Sequence, residues 1–502
     1  MDKRLTAKTA RHLPAAVALP RYDRSKIGAG IVHLGVGAFH RAHQAWYTDE
    51  VLNQQGGDWA IVGASLRSAA VSEQLLPQDC LYTLLEKQDG EVSVRLLGAI
   101  QALLVAAHDP AALIARLAAV TTRIVSLSIT EKAYYQARNF AQQPGLDLQH
   151  SDIQHDLQHY QSHPITALGY LVAALEVRMT EGLPGLSLLS CDNLPNNGGV
   201  LRTVVTAFAQ RVNPALAAWI AEHVSFPATM VDRIVPATTA EDINQVQSYL
   251  GVLDKAVVCT EPFSQWVIED NFSQGRPDWQ LAGALFVDDV APFEAAKLRL
   301  LNGSHSLIAY LGCLAGYDYV HQVVADPDFN RLIHLYMGEV APGLDLPNSF
   351  DLAQYRQTLL DRFGNAALNH RTSQIAEDGS QKVVQRWLHT VADKNCQQLT
   401  VHALAFAGWL RFIGGVTDAG LNFTIKDPQQ AELAQLAATA ENTERAAAED
   451  KQIIEKVLAL LGQELLLTSN PVFINQVQDC YQRLAKQGVK ATIKQAIQKG
   501  TT

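Results

Sequence analysis

The spacing of hydrophobic and polar positions changes near residue 285 of this 502-residue chain. Before that point, short apolar runs alternate with amphipathic segments, and such runs are typical of buried strands. These runs lie at 30–37, 59–66, 123–129 and 186–190. Beyond it, apolar residues recur every three to four positions, which predicts helices. The predicted helices span 292–314, 321–340, 351–363, 381–393, 397–413, 428–460 and 471–499. We therefore predict two domains, 1–285 and 286–502.

The first apolar run, Gly30 to Gly37, ends in two glycines and precedes a predicted helix at 38–54. A strand, a glycine turn, a helix and a second strand form a βαβ unit. Within it, Gly35 would make the tight turn, and Gly37 would let a pyrophosphate approach a helix N-terminus. His40 replaces the third glycine of the usual fingerprint, so an ordinary strand-to-helix turn remains the alternative. The prediction is an α/β fold with an N-terminal Rossmann-type dinucleotide-binding domain followed by a mostly α-helical C-terminal domain.

Polar residues follow the later apolar runs of the first domain. Thr130 and Glu131 come after 123–129, and Asn193 comes after 186–190. Asp232 lies in an apolar segment that begins at Phe226. Ligands of open parallel sheets gather outside the carboxyl ends of the strands, so these side chains are binding-site candidates. Helix capping and ordinary loop polarity are the alternative explanation.

The segment Lys-Leu-Arg-Leu-Leu-Asn-Gly-Ser-His, residues 297–305, carries the candidate chemistry of the second domain. On an α-helix, Lys297, Asn302 and His305 would lie within an arc of about 140°. Lys297 and His305 would then be about 12 Å apart along the axis, a gap that a long lysine side chain can bridge. One helix could thus present a proton acceptor, an amide and an imidazole to one polar ligand. An amphipathic helix whose lysine reaches toward water is the alternative.

Composition narrows the class of protein. The net charge of −10 argues against a nucleic-acid or anionic-membrane surface. The six cysteines are widely separated, which favours buried thiols in a reducing compartment. The N-terminus lacks the apolar core of a signal peptide, and no apolar run is long enough to span a bilayer. We expect a cytoplasmic protein with a small-molecule ligand, as a monomer or small homo-oligomer.

A histidine series is the one feature that suggests a metal. His150, His155, His159 and His163 recur at four- and five-residue spacing. Zinc sites usually combine such spacing with a carboxylate or cysteine constellation, and the sequence offers none here. The many Gln and Asp residues nearby favour a solvated connector. We therefore predict no metal site.

The blocks that carry this chemistry resemble the mannitol 2-dehydrogenase family, the long-chain polyol dehydrogenases that include fructuronate reductase. The resemblance covers nearly the whole chain, and its blocks are 31–44, 190–194, 230–234, 261–277 and 297–305. It implies that Lys297 is the catalytic lysine, Asn193 and Asn302 are amide donors, and His305 positions the substrate. It places Asp232 at the nicotinamide side, in contact with cofactor and substrate. The implied cofactor contacts are Gly35, Val36, Gly37, Ala38, Phe39, Arg67, Thr130, Glu131, Asn193 and Asp232.

These roles suit the oxidation of a secondary alcohol. A lysine accepts the hydroxyl proton near neutral pH only when burial lowers its pKa. Two carboxamides can stabilise the developing alkoxide without changing charge. NAD is the cofactor that the family implies. Relatives that prefer NAD carry an acidic residue where Ala70 stands, and Arg67 could attract a 2′-phosphate, so NADP stays open.

The two ends of the chain resemble different branches of the family and therefore indicate different substrates. The N-terminal third resembles the mannitol branch, whereas 370–375 and 378–382 resemble the fructuronate reductase branch. Arg371 and Lys382 are the candidates for binding a carboxylate, and mannitol dehydrogenases tend to carry arginine where Gln374 stands. The leading prediction is the interconversion of D-mannitol and D-fructose, with D-fructuronate reduction as the alternative. A non-catalytic dinucleotide-binding protein is the alternative from another class.

Overall fold

The computed structural model describes residues 3–88, 90–137, 145–348, 350–392, 399–438 and 447–499. It separates into two compact units, Met1–Ala291 and Pro292–Thr502. The first unit combines strands and helices, and the second is mostly helical. No helix in the described ranges has the length and apolar character needed to cross a bilayer.

The first unit contains strands of three to seven residues. They are β1 (Ile31–Leu34), β2 (Ile61–Ser65), β3 (Tyr82–Gln88), β4 (Glu91–Leu97), β5 (Ile100–Val105), β6 (Ile124–Leu127), β7 (Ser187–Ser190), β8 (Thr229–Asp232), β9 (Val258–Thr260), β10 (Gln265–Glu269) and β11 (Leu285–Val287). Its helices are α1 (Ala7–Ala10), α2 (Ala38–Ala42), α3 (Gln44–Gln55), α4 (Ala70–Leu75), α5 (Pro110–Ala118), α6 (Ser151–His159), α7 (Ala167–Thr180), α8 (Asn197–Val212), α9 (Pro214–His223) and α10 (Ala240–Leu250).

Five of these strands form one parallel sheet in the order β5-β2-β1-β6-β7. The order reverses between β1 and β6, which makes a topological switch point at the carboxyl end of β1. Side chains of β1 alternate between two cores, because successive residues of a strand point to opposite faces. Val32 and Leu34 join the core that contains α5, α7 and α8, whereas Ile31 joins the core that contains α3. This doubly wound sheet confirms the predicted Rossmann-type domain.

Two three-stranded sheets complete the unit, in the orders β11-β10-β8 and β4-β3-β9. Strand β8, which ends at Asp232, pairs antiparallel with β10. Asp232 therefore belongs to a separate sheet and does not continue the parallel one. The predicted helix at 38–54 is also divided, since His43 has φ −119° and ψ −94° between α2 and α3.

In its described residues, the second unit is built from helices and two π-helical turns, at Lys297–Asn302 and Val384–Leu388. Its helices are α11 (Ala291–Ala296), α12 (Gly303–Leu314), α13 (Val320–Ala325), α14 (Pro327–Val340), α15 (Leu352–Gly364), α16 (Thr372–Ile375), α17 (Gly379–Val383), α18 (His389–Ala392), α19 (Thr400–Phe412), α20 (Gln430–Ala438), α21 (Ala447–Leu460), α22 (Leu466–Ser469) and α23 (Pro471–Lys499, kinked at Gly488). Helices α12 and α19 are buried on nearly all sides and form the centre of this unit.

Candidate functional site

The glycine turn after β1 has the geometry of a dinucleotide-binding turn. Gly35 has φ +94°, and a Cβ there would lie 2.1 Å from the Ser128 carbonyl oxygen, so only glycine fits. A Cβ on Gly37 would meet nothing closer than the Gly35 oxygen at 4.0 Å. The space beside Gly37 is thus open at the switch point, where a pyrophosphate would approach the backbone.

The remaining predicted contacts of this turn lie directly after it. Val36 is buried, and Ala38 begins α2. The Phe39 ring stacks on His43 with 5.0 Å between ring centroids. The turn is therefore braced by side chains of its own segment.

His33 supports the turn from inside the sheet, a role that the sequence did not reveal. Its Nε2–H donates to the Gly35 carbonyl at 3.1 Å, and its Nδ1 lies 2.8 Å from the Ser126 hydroxyl on β6. The His40 ring stacks on it with centroids 3.4 Å apart. Burial lowers the pKa of His33 to about 3, so the ring is neutral and fixed. His40, which interrupts the glycine fingerprint, therefore fills the space behind the turn.

Asp192 joins the ends of two neighbouring strands of the parallel sheet. Its carboxylate accepts the N–H of Ile129 at 3.0 Å and that of Thr130 at 2.9 Å. It also accepts the Tyr134 hydroxyl at 2.7 Å. Asp192 precedes the predicted donor Asn193, which is exposed. The sequence showed an acidic residue at a strand end, but only the fold reveals that it holds the Thr130 loop.

Asn197 ties the same loop to the strand that ends at Asp232. Its amide nitrogen donates to the Asp192 carbonyl at 3.1 Å and to the Thr229 carbonyl at 2.9 Å. Its amide oxygen accepts the Thr229 N–H at 2.9 Å. Asp232 itself is buried at the end of β8. Within this unit, Asn193 and Asp232 thus belong to two segments that Asn197 holds together.

The residues after β2 are exposed. The Arg67 guanidinium lies 3.4 Å from the Asp152 carboxylate and 3.3 Å from the Tyr135 hydroxyl, with 76% of its side chain exposed. Ala70 begins α4 and is exposed, so a longer side chain would fit there. Glu131 is also exposed, at the start of the 3₁₀ turn Glu131–Tyr134. These side chains line the carboxyl side of the sheet without forming part of its core.

In the second unit, Lys297 and Asn302 are the first and last residues of a π-helical turn, which differs from the predicted α-helix. The N–H of Gly303 bonds to the carbonyl of Leu298, five residues back. A regular α-helix would place residues five apart about 140° from each other around its axis. In a π-helical turn, where an N–H bonds to the carbonyl five residues back, residues five apart lie on the same side of the axis. The turn therefore presents Lys297 and Asn302, both half-buried, in the same direction.

His305 lies one turn further along, on α12, and only 8% of it is exposed. Its Nε2 is buried without a hydrogen-bond partner in the structure. Burial lowers its pKa well below the usual value, and the neighbouring basic side chains lower the pKa further. Those neighbours are His370, Arg362, Arg386 and Lys382. His305 is thus a neutral imidazole in a positively charged environment.

The two candidates for a carboxylate differ in position. Lys382 contributes to the field at His305, and its Nζ donates to the Ile375 carbonyl at 3.1 Å. Arg371 is exposed, and its guanidinium lies over the Tyr319 ring at 5.2 Å. His370, which the sequence did not single out, contacts His305 edge-on with ring centroids 5.5 Å apart. The structure therefore groups His305 with Lys382 and His370 rather than with Arg371.

The predicted histidine series does not gather in a metal-binding group. His155 and His159 contact each other with ring centroids 4.9 Å apart on α6, while His150 packs against Tyr135. Across the described part of the chain, no group of three or more His, Cys, Asp or Glu side chains is placed to hold a metal ion.

A parallel sheet whose first strand ends in a glycine turn at the switch point defines a dinucleotide-binding protein. A lysine, an amide and an imidazole on consecutive turns of the helical unit are groups suited to proton transfer. Together these features define the class of dinucleotide-dependent dehydrogenases.

The chain belongs to the mannitol dehydrogenase family. The mannitol dehydrogenase Rossmann domain matches residues 29–281, and the mannitol dehydrogenase C-terminal domain matches residues 289–485. The protein is accordingly an oxidoreductase that acts on CH–OH groups with a nicotinamide dinucleotide.

Three relatives illustrate the similarity. The uncharacterized oxidoreductase YeiQ of Escherichia coli K12 is 43% identical over 95% of this chain and 96% of its own. The D-mannonate oxidoreductase of the same organism is 41% identical over 95% of this chain and 97% of its own. The Pseudomonas fluorescens mannitol 2-dehydrogenase, solved with NAD and D-mannitol, is 38% identical, with a TM-score of 0.85 over 99% of this chain and 100% of its own.

Proposed function

We propose that this protein is an NAD-dependent, metal-independent dehydrogenase that interconverts D-mannitol and D-fructose. The observation that carries the proposal is the π-helical turn, which presents Lys297 and Asn302 in one direction, with His305 on the following turn. The similarity to a mannitol 2-dehydrogenase solved with NAD and D-mannitol supports the choice of substrate and cofactor.

The residues of the glycine turn fit a dinucleotide. Gly35 is required for the turn, and Gly37 leaves the space in which a pyrophosphate would bind the backbone. A bound nicotinamide supplies hydride acceptance in one direction and hydride donation in the other. The chain itself must therefore orient the sugar carbon and move one proton.

Lys297 is the proposed proton carrier. As the hydride leaves the carbinol carbon, the neutral amine takes the hydroxyl proton and becomes an ammonium; in ketone reduction the ammonium returns that proton to the oxygen. Asn302 lies on the same side of the turn and would donate its amide N–H to the developing alkoxide. Asn193, which follows β7 in the chain, is proposed as the second donor.

His305 is proposed to position the substrate as a neutral ring. Its depressed pKa keeps it uncharged at physiological pH, so it can donate one hydrogen bond to a hydroxyl and accept another. Its buried Nε2 has no hydrogen-bond partner among the described residues, which is costly unless a ligand hydroxyl satisfies it.

D-fructuronate reduction is the second candidate, and the cations around His305 favour it. A hexuronate has a carboxylate where fructose has a hydroxymethyl group, and a buried carboxylate needs cationic partners. Lys382, Arg362 and Arg386 all contribute to the field at His305. The D-mannonate oxidoreductase of E. coli is 41% identical to this chain.

The cofactor proposal is NAD with incomplete discrimination against NADP. Ala70 supplies no carboxylate to repel a 2′-phosphate, and the exposed guanidinium of Arg67 lies nearby in sequence after β2. A negative charge at this position is the usual means by which such sites reject NADP.

One experiment tests the proposal directly. Oxidation of NADH and of NADPH is followed at 340 nm with D-fructose, D-fructuronate and a control aldose, and kcat/KM is measured for each. The proposal expects fructose turnover with NADH that persists after exhaustive chelation. A preference for fructuronate above about tenfold, or roughly 1.4 kcal/mol, would replace mannitol with mannonate as the product. Absence of turnover with every ketose would favour a non-catalytic binding protein.

A further inference from the structure

The π-helical turn at Lys297–Asn302 changes the partner of one N–H and brings a carbonyl of the turn into contact with a neighbouring helix. In a regular α-helix the N–H of Gly303 would bond to the carbonyl of Arg299, four residues back. Here that N–H bonds instead to Leu298 and Leu300. The Arg299 carbonyl accepts the Tyr336 hydroxyl of α14 at 2.9 Å. A buried carbonyl needs such a partner, so the hydroxyl compensates for the altered register.

The same hydroxyl explains why the residue after the turn is glycine. A Cβ on Gly303 would lie 2.0 Å from the Tyr336 oxygen and 3.0 Å from the Cζ that carries it. The turn can therefore approach Tyr336 only without a side chain at this position. Tyr336 is fully buried, and burial raises the pKa of its hydroxyl, which keeps the proton that it donates.

A second π-helical turn, Val384–Leu388, contacts the C-terminal end of the Lys297–Asn302 turn. The Arg386 guanidinium donates to the Asn302 carbonyl at 3.2 Å and to the Ser306 hydroxyl at 2.8 Å. The Trp387 indole N–H donates to the Gly303 carbonyl at 3.2 Å. Carbonyls in the middle of the Lys297–Asn302 segment and at its C-terminal end thus receive side-chain donors from outside the turn.

We propose that Tyr336, Arg386 and Trp387 are positioning residues that keep the Lys297–Asn302 turn π-helical and thereby hold the lysine and the amide on one side. This inference rests on the proposed function of Lys297. Without the three donors, the segment would return to the α-helical register, in which Lys297 and Asn302 diverge by about 140°. Side-chain insertion into a helix ladder is a known cause of such irregular turns.

The first test is Tyr336→Phe, with Tyr317→Phe as the matched control. Both variants lose one buried or part-buried hydroxyl bond, since Tyr317 donates to the Asp326 carboxylate at 2.7 Å elsewhere in the unit. We expect Tyr336→Phe to lower kcat about ten- to hundredfold with little change in the Kd for NADH, because a misplaced catalytic group costs rate. The pH at which kcat is half-maximal should also shift, whereas Tyr317→Phe should change neither quantity.

The second test uses the close approach of Gly303 and Tyr336. Gly303→Ala alone should be severely impaired, because its methyl group overlaps the hydroxyl. In Gly303→Ala/Tyr336→Phe the nearest atom recedes from 2.0 to 3.0 Å, so the double variant should be more active than Gly303→Ala. Additive losses in the double variant would contradict the inference.

Arg386→Lys covers the case in which a Tyr336 variant does not fold, since it keeps the charge but loses the guanidinium Nη1 that donates to both the Asn302 carbonyl and the Ser306 hydroxyl. We expect the same loss in kcat and the same displaced pH profile. A crystal structure of either variant should show an α-helical register at 297–302. Wild-type rates and profiles in Tyr336→Phe and Arg386→Lys, with Lys297→Ala inactive, would overturn the inference alone; an active Lys297→Ala would overturn the proposed function.

Discussion

The Asp192 carboxylate accepts the backbone N–H of Thr130 at 2.9 Å, and this contact joins the carboxyl ends of β6 and β7. Thr130 has φ +73°, a conformation that β-branched residues adopt rarely and at a cost. The N–H of Ile129 and the hydroxyl of Tyr134 reach the same carboxylate. One half-buried acidic side chain therefore holds the strained loop at the switch-point edge of the sheet.

Asp192→Asn should destabilise the first unit and weaken cofactor binding. The substitution replaces one carboxylate oxygen with an NH₂ group, which would face the donors that the oxygen now accepts. A buried unsatisfied group costs about 1–3 kcal/mol. Thermal unfolding and NADH titration by fluorescence measure the two effects. Asp270→Asn is the control, because that carboxylate pairs with Arg276 and is 48% exposed. Equal melting temperatures and equal Kd values in Asp192→Asn and the wild type would refute the role of Asp192 in holding the Thr130 loop.

The sheet was predictable because a strand between two helical layers has a distinctive apolar pattern. Asp192 was visible as a polar residue at a strand end, but its function depends on backbone N–H groups some 60 residues earlier, which periodicity does not report. The π-helical turn was missed for a different reason. Its sequence is compatible with an α-helix, and its register depends on Tyr336 and Arg386, which lie far away in the chain.

Lys297→Ala should lower kcat about 10²–10⁴-fold, the usual loss when a general base is removed. The Kd for NADH should stay close to that of the wild type, because the proposed role of the lysine concerns the substrate. Stopped-flow hydride transfer and equilibrium NADH binding separate these quantities. Lys494→Ala, a change at an exposed side chain of the same unit, should affect neither. Unchanged turnover in Lys297→Ala at neutral pH would end the proposed mechanism.

Ala70→Asp should sharpen the preference for NAD over NADP. Ala70 is exposed at the start of α4, so a carboxylate would fit there and repel a 2′-phosphate. The ratio of kcat/KM for NADH and NADPH is the measurement. Glu73→Gln, which removes a nearby carboxylate of the same helix, is the control. A ratio that does not change in Ala70→Asp would show that another segment sets cofactor choice.

Buried histidines should make the protein less stable in mild acid. Burial lowers the pKa of His33 to about 3 and that of His370 to about 4, and it holds those of His40 and His305 well below the usual value. Below about pH 6.5, which is near the pKa of a histidine in the unfolded chain, the unfolded chain binds more protons than the native one. Stability is therefore fully present above about pH 6.5 and falls as the pH drops toward the folded values, by about 1.4 kcal/mol per proton and pH unit.

Urea midpoints between pH 7.5 and pH 5 provide the measurement. His370→Gln should reduce the dependence of the urea midpoint on pH, by up to the contribution of one bound proton. Burial raises the pKa of Asp49, Asp192 and Asp254. Above their unfolded pKa near 3.8, the native chain therefore binds more protons at these groups than the unfolded chain, and this reduces the loss of stability at the acid end. Equal midpoints at pH 7.5 and pH 5.5 would contradict the neutral assignment of the four rings.

Lys382 and Arg371 decide between the two substrates. Lys382 contributes to the field at His305, whose Nε2 has no hydrogen-bond partner in the described part of the chain, whereas Arg371 is exposed over Tyr319. If fructuronate is the substrate, Lys382→Met should reduce its kcat/KM selectively by the roughly 2–5 kcal/mol lost when a buried charge loses its partner. Arg371→Ala, the matched control, should affect fructose and fructuronate alike. If fructose is the substrate, Lys382→Met should remove a hydrogen bond from the ammonium to a neutral hydroxyl, about 1.5–3 kcal/mol, and change the two ketoses in parallel. A selective loss of fructuronate activity in Arg371→Ala, with Lys382→Met unaffected, would place the carboxylate at the exposed guanidinium and contradict the grouping around His305.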